Sequence, residues 1–173
     1  MTVIVYHCKS QTMCSDSRVS DEHGMHLTNA PKIYRLSNGA LLGCAGDDDC
    51  RLLMEVLGRP KTPKQMPSRQ ELADTKTNFY GLLVFPKGHV FLVGVEFQQL
   101  SENEGEWTGY VSEINDKFAA VGSGQQYAYG ALEVGASAGD AVRAACRRDL
   151  MCCLPVQSCK LVVEKPVKGR IKL

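Results

Sequence analysis

The apolar segments of this chain come in neighbouring pairs separated by turn-forming residues, which constrains it towards antiparallel sheet. Residues 2–8 read as a strand and 10–16 as its hairpin partner. "KIYRL" (32–36) and "ALLGCAG" (40–46) flank Ser37-Asn38-Gly39, where the Asn-Gly step is a strong hairpin signal. "FYGLLVFPKGHVFLVGVEF" is a strand, a Pro-Lys-Gly turn and a second strand, and "WTGYVSEI" and "FAAVGSG" add two more. Helical patterns come in groups. One is "DDDCRLLMEVLG", with Leu52, Leu53, Val56 and Leu57 at helical spacing and Gly58 as its stop. Two more follow in succession, "QQYAYGALEVG" and "SAGDAVRAACRRDL", the latter opening on a Ser137-x-x-Asp140 cap. "LPVQSCKLVVE" is a last strand before a basic tail, 166–173. This order predicts a layered α+β domain, two antiparallel sheets face to face with helices outside, rather than a doubly wound parallel sheet.

The whole of 1–173 reads as one domain, a size that supports a real core. Residues 59–77, with three prolines and many charges, read as an insertion because the strands on either side belong together. A formal net charge of +1 gives no electrostatic case for nucleic acid or an anionic membrane. No apolar run reaches the roughly 20 residues a spanning helix needs, and no export signal is visible. Eight cysteines without such a signal read as reduced thiols in a cytoplasmic protein.

The front of the first strand carries the strongest chemical lead. Methionine before a small residue is commonly removed, and removal of Met1 would leave Thr2 with a hydroxyl and a free amine in one residue. An α-amino group titrates near ~8, so it is partly neutral at cellular pH and can serve as base for its own hydroxyl. Asp16 closes the first hairpin and Lys32 opens a later strand, held there by Pro31. A lysine near Thr2 would favour the alkoxide, with Asp16 keeping it charged and oriented; the plainer reading is a surface ion pair. Gly46 ends a strand where a helix begins, which suits an oxyanion-binding N–H. Asp47, Asp48 and Asp49 are better explained by the helix dipole than by a metal. Ser123 in "AVGSGQQYA" either bonds a terminal amine or caps a helix.

With these residues in view, the sequence resembles the proteasome-like N-terminal-threonine peptidases, in particular the HslV type, over about residues 2–162. The resemblance rests on "TVIVY", "SDSRVS", "PKIYRL", "LLGCAGD", "AVGSGQQYAYGAL" and "RRDLMCC", in that order. It implies a four-layer αββα sandwich of the Ntn-hydrolase kind. Thr2 matches the family's nucleophile, Asp16 and Lys32 its acid and lysine, and Gly46 its oxyanion N–H. Ser123 and Asp149 match the residues that support the terminal amine. Cys152 stands where the family's Asp-x-x-Ser motif has a hydroxyl. The proline-rich 59–77 replaces a longer helical pair, and "SDSRVS" and "CRRDLMCCLPVQ" look like a phage and bacterial branch. Polypeptide substrates, a ring-forming homo-oligomer, an ATP-dependent unfoldase partner and no required cofactor follow from the resemblance. The competing readings are an inactive, self-assembling protein of the same fold, and a metal module using His7, Cys8, Cys14, His23, His26, Cys152 and Cys153. The last lacks zinc-ligand spacing.

Overall fold

The computed structural model describes residues 2–20, 26–27, 29–46, 50–101 and 104–161. Asp47–Asp49, His23 and the basic tail therefore lie outside the described residues, as does Met1.

The first hairpin forms as expected from β1 (Val3–His7) and β2 (Thr12–Ser15), with Val5 opposite Cys14. Strand β3 (Val19–Ser20) pairs with β4 (His26–Leu27) as a separate two-stranded ribbon. The Asn-Gly hairpin joins β5 (Ile33–Arg35) to β6 (Leu41–Gly46). Helix α1 spans Arg51–Gly58 and α2 Arg69–Ala73, with a single 3-10 turn at Pro63–Gln65 between them. Strands β7 (Phe79–Val84), β8 (Val90–Gln99) and β9 (Gly105–Ile114) follow as a meander. Strand β10 (Phe118–Gly122), helices α3 (Gln125–Glu133) and α4 (Ala138–Cys146), and β11 (Gln157–Lys160) complete the described fold.

All ladders are antiparallel. They form a four-stranded sheet, β10-β1-β2-β11, and a five-stranded sheet, β5-β6-β7-β8-β9. Three apolar clusters define four layers. Ile4, Tyr6 and Met13 of the first sheet meet Leu41, Leu82 and Val84 of the second in the central core. The outer face of the five-stranded sheet packs Leu42, Leu83 and Val93 against Leu53, Leu57 and Leu72 of α1 and α2. Val3, Val5 and Ala120 pack against Ala128, Leu132, Ala141 and Ala145 of α3 and α4. The alanines on α3 and α4 keep those helices close to the sheet. This is the α+β, αββα sandwich expected from the sequence.

Gly43 makes the central contact possible. A Cβ there would lie 2.6 Å from Ile4 Cγ2 and 2.8 Å from Met13 Sδ, so only glycine lets both side chains seat on β6. Ser137 caps α4 as its sequence pattern predicts, accepting from the Asp140 N–H at 3.2 Å. Two elements are shorter than the sequence implies. Helix α4 stops at Cys146, short of Leu150, and the last strand is confined to Gln157–Lys160 within the described part of the tail. The chain between them is used elsewhere.

Candidate active site

Val3 pairs with Gly122, and the Val3 carbonyl accepts from the Asp16 N–H at 3.2 Å. Thr2 therefore sits between the start of β10–α3 on one side and the end of β2 on the other. Its carbonyl accepts from Gly124 N–H and from the Ser123 hydroxyl, both at 3.4 Å. Asp16 folds back onto the same strand: its Oδ1 accepts from Val3 N–H at 3.0 Å. Lys32 comes from the other sheet. Its backbone is pinned by Cys44 N–H donating to its carbonyl at 3.0 Å, and by its own N–H donating to Gln157 Oε1 at 3.2 Å.

These three side chains meet. Thr2 Oγ1 donates to Asp16 Oδ1 at 2.5 Å, Lys32 Nζ donates to Thr2 Oγ1 at 2.5 Å, and Lys32 Nζ reaches Asp16 Oδ1 at 2.8 Å. Thr2 is 1% exposed, Asp16 0% and Lys32 5%. The Asp16–Lys32 pair is therefore a buried, hydrogen-bonded contact and not the surface ion pair weighed against it. Burial of two opposite charges is tolerated only when geometry and hydrogen bonds satisfy them. Here the second carboxylate oxygen is met as well, by Arg18 N–H at 3.1 Å and Cys153 N–H at 3.3 Å. A hydroxyl held between a carboxylate and an ammonium is poised to lose its proton, because the cation stabilises the developing alkoxide.

The third element is Asp149. Its Oδ1 accepts from Met151 N–H at 2.9 Å and its Oδ2 from the Cys152 thiol at 3.3 Å. Burial pushes its carboxyl up, but hydrogen bonds from Ser123, Met151 and Cys152 outweigh it and hold Asp149 below the usual carboxylate range. Ser123 lies within reach of both Asp149 and the Thr2 carbonyl, its one hydroxyl proton serving either acceptor, rather than serving as a side-chain cap; α3 has Gly124 at that position and no side-chain cap bond. Burial, Asp16 and Asp149 push the Cys152 thiol up to about 12, so it is a hydrogen-bond donor here and not a nucleophile.

Gly46 is placed by backbone pairing. It closes β6 opposite Phe79 with φ +143°, and any Cβ would run into the Asn78 carbonyl. Cys44, two residues earlier, feels the Lys32 charge, so this end of β6 borders the site. The thiol of Cys50 bonds that of Cys44 and, with burial, raises Cys44 against the lowering effect of Lys32.

Sequence reasoning missed the two backbone donors on Asp16 Oδ2. No residue type marks them. They arise because the chain leaves the helix after Cys146, makes its last helical hydrogen bonds at Arg147–Asp149, and returns to β2, where Cys153 carbonyl also accepts from Ser17 N–H at 3.1 Å. Tyr80 was missed too; burial, then Cys152 and Asp16, raise its phenol. The metal candidates whose side chains are described do not converge. His7 accepts from Ser10 N–H, Cys8 donates to the Asp116 carbonyl, and Cys14 and Cys152 lie in the α3–α4 core. Among the described residues no three His, Cys, Asp or Glu side chains are grouped to hold a metal ion. His89 bonds Glu113 at 2.9 Å, and Trp107 packs at a tilt against Phe97, ring centroids 5.4 Å apart.

The structure can be compared with a solved protein from Thiobacillus denitrificans, BPH in complex with epoxomicin. The TM-score is 0.61 at 21% identity, with 94% of this chain and all of that one covered. The fold is that of a proteasome-like Ntn hydrolase. Sequence comparison points the same way. The chain is 31% identical over 81 residues to proteasome subunit beta type-1 of Danio rerio, and 30% identical over 81 residues to subunit beta type-1-B of Carassius auratus. Each match covers 43% of this chain and 34% of the relative, about a third of the relative's length. No family model matches the chain. None of the helices described is long and apolar enough to cross a membrane.

Proposed function

We propose that this chain is an N-terminal-threonine peptidase, with Thr2 as nucleophile once Met1 is removed. The observation that carries the reading is the buried Thr2–Asp16–Lys32 triangle, with Thr2 Oγ1 within 2.5 Å of both partners. The freed amine takes the hydroxyl proton, and Lys32 stabilises the oxygen as it attacks a peptide carbonyl. The Gly46 N–H stabilises the tetrahedral oxyanion. The amine then protonates the leaving group, and water hydrolyses the acyl ester by the reverse route. Asp16 orients Lys32. Ser123, Asp149 and Cys152 keep the Thr2 backbone in place. No cofactor is required by this scheme. Polypeptide substrates, assembly into a ring of identical subunits, an ATP-dependent unfoldase and a cytoplasmic setting belong to the same proposal.

A second reading is an inactive, self-assembling protein of the same fold. The near-complete burial of Thr2, at 1% exposure, favours it. Intact mass and peptide hydrolysis separate the two. Loss of the methionine mass together with turnover that disappears in Thr2→Ala, while Thr2→Ser retains part of it, supports the peptidase. Full retention of Met1 with no turnover supports the inactive assembly. Epoxomicin, bound by the Thiobacillus denitrificans protein, is a second probe: it should raise the melting temperature of the processed chain and not that of Thr2→Ala.

A further inference from the structure

Strand register aligns Ala45, Tyr80, Gly94 and Tyr110 in one row across β6, β7, β8 and β9. Leu82 and Val84, two and four residues beyond Tyr80 on the same face, belong to the central core, and Tyr80 packs against that cluster. The row is the open edge of this core. Ala45, Tyr80 and Tyr110 are half-buried, and Gly46 beside Ala45 is exposed. Thr2 stands at the same end, two residues before the core residue Ile4. Gly94 shapes the row. A Cβ there would run into Tyr110 Cζ and Oη, so the phenol of Tyr110 lies across bare backbone, turned from β9 towards Tyr80. Burial, then Cys152 and Asp16, raise the Tyr80 phenol; burial, then Glu96 and Tyr80, raise that of Tyr110. Both therefore keep their protons and can donate. Neither hydroxyl has a hydrogen-bond partner among the described residues.

We propose that Tyr80 and Tyr110 form a subsite for the main chain of an extended polypeptide, each hydroxyl donating to a carbonyl oxygen of the substrate. The inference rests on the peptidase reading and names how that site holds its chain. A tyrosine packed on an apolar core ordinarily finds a partner for its hydroxyl. Here two such donors face the mouth between the sheets, where an acceptor can come only from outside the described chain. Strand spacing sets the two Cα atoms about 9–10 Å apart, and the lean of Tyr110 over Gly94 brings its hydroxyl nearer to β7. Carbonyls on one side of an extended chain recur about every 6.6–6.8 Å, so two of them in succession can meet both donors. The row begins beside Gly46, so a chain held along it passes the N–H assigned to the oxyanion. The small side chain of Ala45 leaves that path open. Recognition through the main chain makes no demand on side-chain identity, which suits a hydrolase of many sequences.

The test is hydrolysis of fluorescein-labelled casein, an unfolded polypeptide, by the purified chain and by its Tyr80→Phe and Tyr110→Phe variants. Each variant should raise KM about three- to tenfold, the worth of one hydrogen bond, with kcat within about twofold of wild type. The melting temperature should hold or rise, because phenylalanine keeps the ring and removes a hydroxyl that the folded chain leaves unmet. An unchanged KM in both variants, or a loss confined to kcat, would overturn the proposal. So would a fall in melting temperature that accounts for the lost activity, since the tyrosines would then serve the fold. Thr2→Ala keeps the subsite apart from the chemistry. Labelled casein bound to Thr2→Ala, read by fluorescence polarisation, should be held about three- to tenfold more weakly once Tyr80→Phe is added. If the wild-type chain cleaves nothing, the peptidase reading falls, and this binding measurement alone decides the subsite: weaker binding upholds it and equal binding overturns it.

Discussion

Replacing Asp16 by asparagine removes a charge from a buried site. The carboxylate receives five donors: Thr2 Oγ1, Val3 N–H and Lys32 Nζ on Oδ1, and Arg18 and Cys153 N–H on Oδ2. Asparagine keeps one acceptor oxygen. If that oxygen stays towards Lys32, the amide NH2 faces two N–H groups and both lose their acceptor, each costing about 1–3 kcal/mol. If it turns, Thr2, Val3 N–H and Lys32 lose theirs. In either orientation the buried ammonium loses its carboxylate, a change worth about 3–5 kcal/mol where one partner of a buried pair is removed. Asp16 is 0% exposed and the Lys32 side chain 6%, so solvent screening offers no relief. Against a total stability of about 5–15 kcal/mol, the melting temperature should fall by roughly 6–20 °C. Urea unfolding followed by circular dichroism measures the loss. Lys32→Met in the same background should cost less than it does alone, with a coupling of about 0.5–3 kcal/mol. Peptide hydrolysis should fall by at least about a hundredfold, the scale of one positioned catalytic group. An Asp16→Asn protein within about 1 kcal/mol of wild type would refute the view that this pair is closed off and mutually satisfied.

Gly46→Ala puts a side chain at φ +143° and against the Asn78 carbonyl, and should destabilise the chain by about 2–3 kcal/mol while abolishing turnover; a change under about 0.5 kcal/mol in denaturant would contradict the geometry. Cys152→Ser keeps a donor on Asp149 and should leave its carboxyl depressed, whereas Cys152→Val should let it rise; an NMR titration that finds the two variants alike removes Cys152 from the network. The fold also has an alkaline limit. Burial first of all pushes the thiols of Cys14 and Cys146 up to about 11, Cys152 up to about 12 and the Tyr6 phenol up to about 12. Each is raised on folding, so its contribution is complete below the unfolded value, 9.0 for a thiol and 10.0 for the phenol, and is lost as pH rises through the folded one. Stability measured in urea should hold to pH 9 and then fall towards pH 11–12; a flat profile would show that these groups titrate freely.

The pairing of strands was legible because hairpins carry their own local signals: Asn38-Gly39 between β5 and β6, and the Pro-Lys-Gly turn between β7 and β8. Ser137 announced α4 for the same reason, since a cap lies within one turn of what it caps. Asp16 and Lys32 stood out as charged residues at strand ends, and the tertiary fold alone decides that they meet. The least legible part is 147–153. Its sequence, "RRDLMCC", continues the helical pattern of α4, and only the demand of Asp16 Oδ2 for a second donor explains why the backbone leaves the helix there. The acidic run read as the start of α1 lies outside the described residues; among those described the helix begins at Arg51, and nothing in its side-chain pattern marks that point.

The bare backbone at Gly43 has a consequence for precision. Ile4 stands two residues from Thr2, and Gly43 three from Gly46, so the contact between them indexes one sheet against the other. Whatever separation the hydroxyl and the amide require is gauged by the thickness of an isoleucine resting on a peptide plane. A single added methyl group there would act as a shim, parting the two halves of the site without touching either.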